Sequence, residues 1–371
     1  QLLAARERGA VLTSEMEAFF EVCPCQMIGV TGSDGKTTTT TIIAGLLKAA
    51  GYTTYVGGNI GKPLLPDADG MEHGDVAVLE LSSFQLMTME QSPDIAVVTN
   101  LAPNHLDYHH TMEEYTNAKK NIFLHQGEGD RLILNYDNEV TRSMAAEAVC
   151  PVTWFSRKER LEEGVYLRDN AIWLTNEMGS REVLPLSDIQ LPGVHNIENY
   201  MAAIAAVDGL VPDKCVRAVA RRFHGVEHRI EPVRVLDGVT YYNDSIGTSP
   251  TRTIAGLRSF DQKVILIAGG YDKHIPYEPL APEITAHVKN LVLMGATGPR
   301  IEKAVREDPN FNEAELPIQH ADNMQHAVEL ARACAKPGDI IILSPASASF
   351  DLYPNFEVRG REFKSIVNAL K

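Results

Sequence analysis

The sequence predicts an α/β protein with mostly parallel sheets, and three features of the chain lead to this prediction. Short apolar runs without alternation recur at residues 27–30, 76–81, 95–100, 131–135, 263–270, 290–295 and 339–344. Such runs are typical of strands that are covered on both faces. Amphipathic helical patterns separate them, and a glycine-rich loop joins the first run to the first helix. This alternation of strand and helix favours parallel sheets with right-handed crossovers.

The helices follow from periodicity and from their end signals. Residues 38–50 place Ile42, Ile43, Leu46 and Leu47 on one side, and Gly51 is a plausible stop. A further helix over residues 111–123 begins with a threonine followed three residues later by a glutamate, which is a capping-box pattern. Two more helices are predicted over residues 197–207 and 323–335.

Residues 151–190 interrupt this pattern. Two short alternating runs flank Arg168, Asp169 and Asn170, which predicts an antiparallel hairpin added to the edge of the first sheet. The segment 223–233 is rich in charge and histidine, and a second α/β series follows it. We therefore predict two domains, 1–228 and 229–371. The first is a P-loop-type, mostly parallel sheet domain with an added antiparallel β segment, and the second is a C-terminal Rossmann-like α/β domain.

The composition of the chain argues against several classes of protein. The 371 residues carry a net charge of −15, which argues against nucleic-acid binding. There is no run of 18 apolar residues and no signal-peptide pattern, so we expect a cytoplasmic protein without membrane insertion. The five cysteines are scattered, which fits reduced thiols. Cys23 and Cys25 stand too close together for a standard zinc knuckle.

The loop "GVTGSDGKTTTTT" at residues 29–41 lies between a strand and a helix, where a phosphate-binding loop belongs. Gly32 and Gly35 allow a tight turn with inward-pointing amides, Lys36 can reach the β- and γ-phosphates, and the Thr37 hydroxyl can bind Mg²⁺. The strict P-loop pattern requires a glycine where this chain has Val30. The alternative is a plain glycine-rich turn between a strand and a helix.

Three other positions are candidates for chemistry. Glu80 ends a predicted buried strand and suits a Mg²⁺ ligand, although it could be a buried glutamate satisfied by its neighbours. The stretch "NHLDYHH" could supply a metal cluster from His105, Asp107, His109 and His110, although each could equally lie at the surface, and His105 is favoured because it is nearest the strand end. Lys119 shares a helix face with Tyr115, but a lysine at such a position is usually a solvated surface residue.

Asn199 lies near a helix start in "GVHNIENYMAA" and could bond a base or sugar, or serve as a cap. In the second domain, small polar residues follow three strands, in "NDSIGTSP", "AGGYDKH" and "LSPASASFDLYPNFEVRG". Together with Lys273 these loops predict an anion-binding surface, although each could be an ordinary turn.

Ten segments, in order, resemble the Mur ligase family over nearly the whole chain. They are "GVTGSDGKTTTT", "GGNIGKPLL", "LELSSFQL", "NHLDYH", "YTNAKKNIF", "GVHNIENYMAA", "EHRIE", "YYNDSIGTSPTRT", "GGYDK" and "SPASASFDLYPNFEVRGREF". The resemblance is greatest to the members that join D-glutamate to UDP-N-acetylmuramoyl-L-alanine. "LELSSFQL" and the "SPASASFD" segment are the most discriminating.

The resemblance implies an ATP-dependent amide ligase that works as a monomer. In this family, ATP phosphorylates the carboxylate of UDP-N-acetylmuramoyl-L-alanine, and the amine of D-glutamate attacks the acyl phosphate. Two Mg²⁺ ions assist, and a lysine that matches Lys119 is carbamylated, which turns a cation into a carboxylate that helps to hold the second ion.

The resemblance also assigns roles residue by residue. It implies metal ligation by Thr37, Glu80, His105 and carbamylated Lys119, and catalytic roles for Lys36, Glu80, His105 and Lys119. ATP contacts are implied for Gly32, Ser33, Asp34, Gly35, Lys36, Thr37, Thr38, Asn196, Asn199, Arg229 and Asp244. Contacts with the uridine-linked substrate or the reacting centre are implied for Asn59 and Ser82, and a D-glutamate pocket for Thr248, Lys273, Ser349 and Phe356.

The chain departs from the family pattern in three respects. The loop before His105 reads "APN" where an acidic residue is common. Ile246 stands where many members have a lysine, and only about two dozen residues precede the phosphate loop, so the UDP-binding domain of the family is expected to be absent. We therefore expect ATP and Mg²⁺ binding but slow turnover of the muramoyl substrate. The alternatives are folylpolyglutamate synthase, a ligase that adds a later peptide residue, or a non-catalytic ATP-binding module.

Overall fold

A computed structural model describes residues 8–9, 13–61, 63–102, 111–191 and 193–371. The chain divides into two compact units, the first ending at Phe223 and the second beginning at His224. Each unit is built around one mostly parallel sheet, which confirms the predicted α/β fold. In the described part of the chain, no helix has the length and apolarity needed to span a membrane.

The described residues of the first unit form a nine-stranded sheet in the order β2-β3-β1-β4-β5-β6-β7-β8-β9. The strands are Gln26–Thr31 (β1), Thr54–Gly58 (β2), Val76–Glu80 (β3), Ile95–Val98 (β4), Arg131–Asn135 (β5), Val152–Ser156 (β6), Gly164–Arg168 (β7), Ala171–Asn176 (β8) and Gly179–Pro185 (β9). β1 lies between β3 and β4 and is parallel to both, with Val30 opposite Glu80 and Thr31 opposite Val98. The strand order therefore reverses at β1, with β3 on one side of it and β4 on the other. In open α/β sheets, ligands bind beyond the carboxyl ends of the strands at such a switch point.

Helices cover both faces of this sheet. They are Glu15–Val22 (α1), Lys36–Ala50 (α2), Ser83–Leu86 (α3), Met112–Lys120 (α4), Glu139–Met144 (α5), Val194–Val207 (α6) and Asp213–Ala220 (α7). One buried cluster joins α2, α6 and α7 to the sheet, and a second joins α1, α3 and α4 to it. Because both faces are covered, the inner strands are mostly apolar, as their unbroken runs predicted.

The start of α2 differs slightly from its prediction. The helix begins at Lys36, two residues before the predicted residue 38, because Gly35 serves as the N-cap at a φ of 79°. It ends as expected at Gly51, whose φ is 99° and whose amide donates to the carbonyl of Leu47. The phosphate-loop lysine is therefore the first residue of the helix.

The predicted hairpin is confirmed. β7 and β8 pair antiparallel, and the two residues between them, Asp169 and Asn170, have positive φ values of 49° and 58°. A two-residue turn with both φ values positive matches the twist of a hairpin, and aspartate and asparagine tolerate that conformation. β9 pairs antiparallel with β8 and completes the added segment at the edge of the sheet.

The described residues of the second unit form a six-stranded sheet in the order β10-β11-β15-β12-β13-β14. Its strands are Glu231–Leu236 (β10), Val239–Asn243 (β11), Val264–Ala268 (β12), Val288–Met294 (β13), Ile318–Ala321 (β14) and Ile340–Leu343 (β15). Its helices are Pro250–Leu257 (α8), Ala281–His287 (α9), Gly298–Glu307 (α10), Met324–Cys334 (α11) and Phe356–Ala369 (α12). β15, β11 and β12 are parallel neighbours, so the loops that follow them emerge at the same edge.

Candidate active site

The loop after β1 is held in a conformation that only glycine allows at two positions. Gly32 has a φ of 148° and Gly35 a φ of 79°, and a Cβ atom at either would overlap a neighbour, Oγ1 of Thr99 or Oδ1 of Asn199 respectively. The loop is also fastened to the segment after β4, because the Ser33 amide donates to the carbonyl of Asn100 over 2.9 Å. The geometry is that of a rigid turn at a helix N-terminus, where backbone amides favour an anion.

Lys36 folds back over this loop. Its Nζ donates to the carbonyl oxygens of Gly32 and Ser33, both over 2.9 Å. Thr37 is buried in the first turn of α2, Thr38 is half-buried beside it, and Asp34 is exposed. The ammonium group therefore adds positive charge to a helix terminus whose dipole is already positive.

Lys119 on α4 meets the loop from the other side. It is 1% exposed, its Nζ donates to Thr31 Oγ1 over 3.1 Å and to the Gly32 carbonyl over 3.0 Å, and it lies 4.9 Å from the centre of the Tyr115 ring. Lys119 is therefore not the solvated surface residue that its position on the helix alone would favour. Burial, together with the nearby charge of Lys36, lowers the pKa of Lys119 to about 6, although Glu80 acts in the opposite direction.

Glu80 ends β3 and is 2% exposed. Its Oε1 accepts a bond of 2.8 Å from Nδ2 of Asn59, and its carbonyl accepts one of 2.7 Å from the Asn59 amide. Its Oε2 is buried, and no hydrogen-bond partner for this atom exists among the described residues. A buried carboxylate oxygen without a partner is unfavourable unless a cation or a hydrogen-bond donor compensates it.

Two other predicted site residues lie near Glu80, Ser82 in sequence and Asn59 in space. Ser82 is the N-cap of the short helix α3 and forms a capping box with Gln85. Asn59 holds Glu80 by the two bonds given above. His105 lies outside the described residues.

Asn196 and Asn199 extend from α6 toward the start of α2. Both are buried, Asn199 Nδ2 donates to Asn196 Oδ1 over 3.1 Å, and Asn199 Oδ1 accepts from Thr39 Oγ1 over 3.3 Å. Asn199 is also the residue that leaves no room for a side chain at Gly35. The tertiary structure thus brings this pair to the phosphate loop from about 160 residues away in sequence.

In the second unit, Asp244 directly follows β11. It is buried, it accepts a 2.7 Å bond from Ser344 Oγ and a 3.2 Å bond from the Ile230 amide, and burial raises its pKa to about 6. Arg229 is exposed, and its charge acts against that increase. The adjacent residues His228 and Ile230 both have positive φ values, 66° and 43°. Ile246 is half-buried, and its amide donates to the His228 carbonyl.

The predicted D-glutamate residues follow β11, β12 and β15, the three neighbouring strands of the second sheet. Lys273 Nζ donates to the Thr248 carbonyl over 3.2 Å. Ser349 is buried, and Phe356 begins α12. The pKa of Lys273 is lowered by burial first and by the charges of Arg252 and Arg359 next, so the surroundings of these loops are electropositive.

Arg359 also lies in this region, and no role for it was predicted from sequence. It is 2% exposed, and its guanidinium donates to Ser245 Oγ and to the carbonyls of Ser245, Ser347 and Ala348 over 2.9 to 3.1 Å. It therefore ties the loop after β11 to the loop after β15. The only signal in the sequence is its place in the "NFEVRG" segment that continues the last of these loops.

Comparison with known proteins identifies both units. Residues 30–207 match the Mur ligase middle domain, and residues 228–347 match the glutamate ligase domain of Mur ligases. A protein of Acetivibrio thermocellus, UDP-N-acetylmuramoylalanine--D-glutamate ligase, is 54% identical over 373 aligned residues, which cover 100% of this chain and 80% of the relative. The protein of the same name from Clostridium acetobutylicum is 53% identical, with the same two shares.

Solved structures agree in fold. A MurF structure from Acinetobacter baumannii superposes with a TM-score of 0.64 at 16% identity and covers 94% of this chain and 79% of its own. Escherichia coli FolC in complex with DHPP and ADP gives a TM-score of 0.63 at 16% identity, over 97% of this chain and 94% of its own. At such low identity the likeness concerns the fold alone.

Proposed function

The chain belongs to the Mur ligase family, and from this membership we propose that it is an ATP-dependent ligase joining D-glutamate to UDP-N-acetylmuramoyl-L-alanine in peptidoglycan precursor synthesis. The relatives at 54% and 53% identity carry the name of that activity. In the structure, the observation that supports it best is the meeting of Lys36, Lys119 and Glu80 around the loop at Gly32. Because its substrates would be soluble cytoplasmic metabolites, we place the enzyme in the cytoplasm.

The reaction explains why such a cluster is needed. A carboxylate is a poor electrophile, and its phosphorylation brings two anions together. ATP transfers its γ-phosphoryl group to the carboxylate, the amine of D-glutamate attacks the resulting acyl phosphate, and phosphate leaves from a tetrahedral intermediate. Lys36 and the amides of the glycine loop would neutralise charge on the phosphate oxygens, which is the main task in phosphoryl transfer.

The first unit offers oxygen ligands that fit Mg²⁺. Glu80 has a buried oxygen without a partner among the described residues, and Thr37 supplies a hydroxyl at the start of α2. Hard oxygen ligands of this kind are those that Mg²⁺ prefers. We propose Thr37 and Glu80 as ligands of one ion and His105 with carbamylated Lys119 as ligands of a second. When bound, the ions would shield the repulsion between the phosphates and the attacking carboxylate.

Magnesium ligation by Glu80 can be tested by thermal unfolding. In Glu80→Gln, the additional rise in Tm that Mg²⁺ gives in the presence of ATP should be lost, because the neutral amide is a poor ligand. Glu90 is exposed, so Glu90→Gln is a matched control that should keep the full rise. An undiminished magnesium effect in Glu80→Gln would contradict the assignment.

Carbamylation of Lys119 is proposed from its position. The Nζ atoms of Lys119 and Lys36 bond to the same carbonyl oxygen, so protonation of Lys119 would bring two like charges together. A carbamate would replace this repulsion with an attraction and provide a metal ligand. In Lys119→Ala we expect activity to fall by orders of magnitude and to recover in part with a short-chain carboxylic acid. Failure of every small acid to restore activity would argue against the carbamate.

The remaining residues are proposed as substrate contacts. Asn196, Asn199, Arg229 and Asp244 would bind ATP with the loop residues Gly32, Ser33, Asp34, Gly35 and Thr38. Asn59 and Ser82 would face the uridine-linked substrate or the reacting centre. Thr248, Lys273, Ser349 and Phe356 would bind D-glutamate, for which the cation of Lys273 offers a partner to a carboxylate.

The decisive experiment compares D-glutamate with L-glutamate. Phosphate release and the mass of the muramoyl product should both require ATP, UDP-N-acetylmuramoyl-L-alanine and D-glutamate together. The product mass is the more direct measurement, because it shows that glutamate has been joined to the muramoyl substrate. An equal yield of muramoyl product with L-glutamate would contradict the proposed specificity for D-glutamate.

A further inference from the structure

Two cysteines lie on either side of Pro24, where the chain leaves α1 and enters β1. Cys23 is the C-cap of α1, and Cys25 directly precedes Gln26, the first residue of β1. Their Sγ atoms are 3.5 Å apart. A disulfide has an S–S length of about 2.0 Å, so closing this pair requires an approach of only roughly 1.5 Å.

The turn that holds the pair is fixed from several directions. Proline restricts its own φ to near −65°, and the Pro24 carbonyl lies 2.7 Å from Nδ1 of His73. The amide of Met27, two residues further on, donates to Asp94 Oδ2 over 2.7 Å. The short distance between the two sulfur atoms therefore belongs to an anchored segment of backbone.

The two thiols are not equivalent. Cys23 is half-buried and reachable by a small reagent, whereas Cys25 is 5% exposed. The hydrogen bond between them is the main cause that lowers the pKa of Cys23 to about 7 and raises that of Cys25. An accessible sulfur with thiolate character beside a protected second thiol is the arrangement of a nucleophilic and a resolving cysteine.

We propose that Cys23 and Cys25 are a site of reversible oxidation, at which a low-molecular-weight disulfide such as oxidised glutathione forms an intramolecular disulfide. The Cys23 thiolate attacks one sulfur of the reagent, and a mixed disulfide forms as the first glutathione thiolate leaves. Cys25 then loses its proton, its sulfur attacks Cys23 Sγ, and the second glutathione leaves. Two protein thiols are oxidised, one reagent disulfide is reduced to two thiols, and the two thiol protons end on glutathione.

The other cysteines lack this arrangement. Cys150 Sγ donates to Gln126 Oε1, Cys215 Sγ to the Ala49 carbonyl, and Cys334 Sγ to carbonyls of its own helix. Burial raises the pKa of both Cys150 and Cys334.

A disulfide between Cys23 and Cys25, across one intervening residue, closes a very small ring. Strained disulfides are easily reduced, so the modification is expected to be reversible.

Mass spectrometry tests the proposal without reference to ligase activity. Trypsin releases residues 9–36 as one peptide, in which Cys23 and Cys25 are the only cysteines. After treatment of the whole chain with oxidised glutathione and blocking of free thiols, this peptide should lack the mass of two hydrogen atoms and carry no blocking group. Dithiothreitol should restore both thiols.

Three variants separate the roles. Cys25→Ser should hold one glutathione stably on Cys23, Cys23→Ser should lose the reaction in this peptide, and the half-buried control Cys215→Ser should behave as wild type. The proposal is overturned if the wild-type peptide keeps two free thiols or links to a second chain. It is also overturned if Cys25 reacts equally fast in Cys23→Ser. The wild-type peptide decides the matter even if a variant does not fold.

Discussion

At the scale of single residues, the first unit concentrates charge where a soluble protein usually avoids it. Lys119 is 1% exposed and Glu80 is 2% exposed, and both lie beside the glycine loop. A buried ionisable group lowers stability unless it is paired. Proteins therefore keep such groups mainly where function requires them, which is why they are frequent at functional sites. Their presence here is consistent with a site that is completed by bound ligands.

The lowered pKa of Lys119 predicts how the stability of the protein depends on pH. Its pKa falls from 10.5 in the unfolded chain to about 6 in the folded protein, so the unfolded chain binds more protons between these values. The stability that neutral Lys119 gives is therefore fully present above pH 10.5 and is lost as the pH falls through 6. In bicarbonate-free buffer, wild type should gain stability over Lys119→Met from about pH 6.5 to about pH 9.5, by at most roughly 1.4 kcal/mol per pH unit.

Thermal unfolding at several pH values measures this difference. Lys48 is exposed on the surface of α2, so Lys48→Met reports the effect of losing a surface lysine. A difference between wild type and Lys119→Met that stays constant over the whole range would show that Lys119 keeps its proton in the folded protein.

At the scale of elements, the site depends on how one turn is packed between two helices. Gly35 ends the loop after β1 and serves as the N-cap of α2, and Asn199 of α6 occupies the space where a side chain at Gly35 would lie. The phosphate loop and the asparagine pair are therefore coupled by direct contact. A change in one is expected to disturb the other.

Gly35→Ala tests this coupling. The left-handed backbone conformation disfavours alanine by about 1 kcal/mol, and the overlap with Asn199 should add to the loss. Gly209 offers a matched control, since its φ of 82° is similar but a Cβ there meets nothing within 4 Å. Gly35→Ala should be less stable than Gly209→Ala and should lose the rise in Tm caused by ATP. Equal stability of the two variants, with the ATP effect intact, would refute the coupling.

At the scale of the whole molecule, each unit has the core that independent folding requires. The sheet of the second unit is covered by one buried cluster around Leu266 and Leu293 and by another around Ile267 and Phe363. The first unit likewise has a cluster on each face. Sheets that are covered on both faces without help from another chain segment are typical of autonomous domains.

Separate expression of the two units tests this independence. Residues 1–223 and residues 224–371 should each unfold in a cooperative thermal transition. ATP with Mg²⁺ should raise the Tm of residues 1–223, because the glycine loop, Lys36 and the asparagine pair all lie there. It should raise the Tm of residues 224–371 far less, because only two of the proposed ATP contacts, Arg229 and Asp244, lie there and a ligand stabilises a fold only as far as it binds it. A first unit that folds without responding to ATP would contradict the location of the phosphate site.

Much of the architecture could be predicted from local pattern. Apolar runs indicated inner strands, Gly51 indicated the end of α2, and Asp169 with Asn170 indicated the turn between β7 and β8. These signals are local because a backbone conformation, or a face buried on both sides, restricts the residue types that can occupy it. The family could be recognised for a similar reason, because the loops that carry its chemistry are short and rich in glycine and polar residues.

The tertiary structure alone decided which side chains meet. Helix periodicity placed Lys119 and Tyr115 on one face of α4 but did not reveal what packs against that face, so the burial of Lys119 could not be read from sequence. The same holds for the Glu80 oxygen that has no partner among the described residues, for the contact between Asn199 and Gly35, and for the bonds that Arg359 makes to two loops. Sequence by itself determined the elements and the family, because these depend on local conformation and composition. The electrostatics of the site and the pairing of Cys23 with Cys25 depend on distances between atoms, which only the folded chain defines.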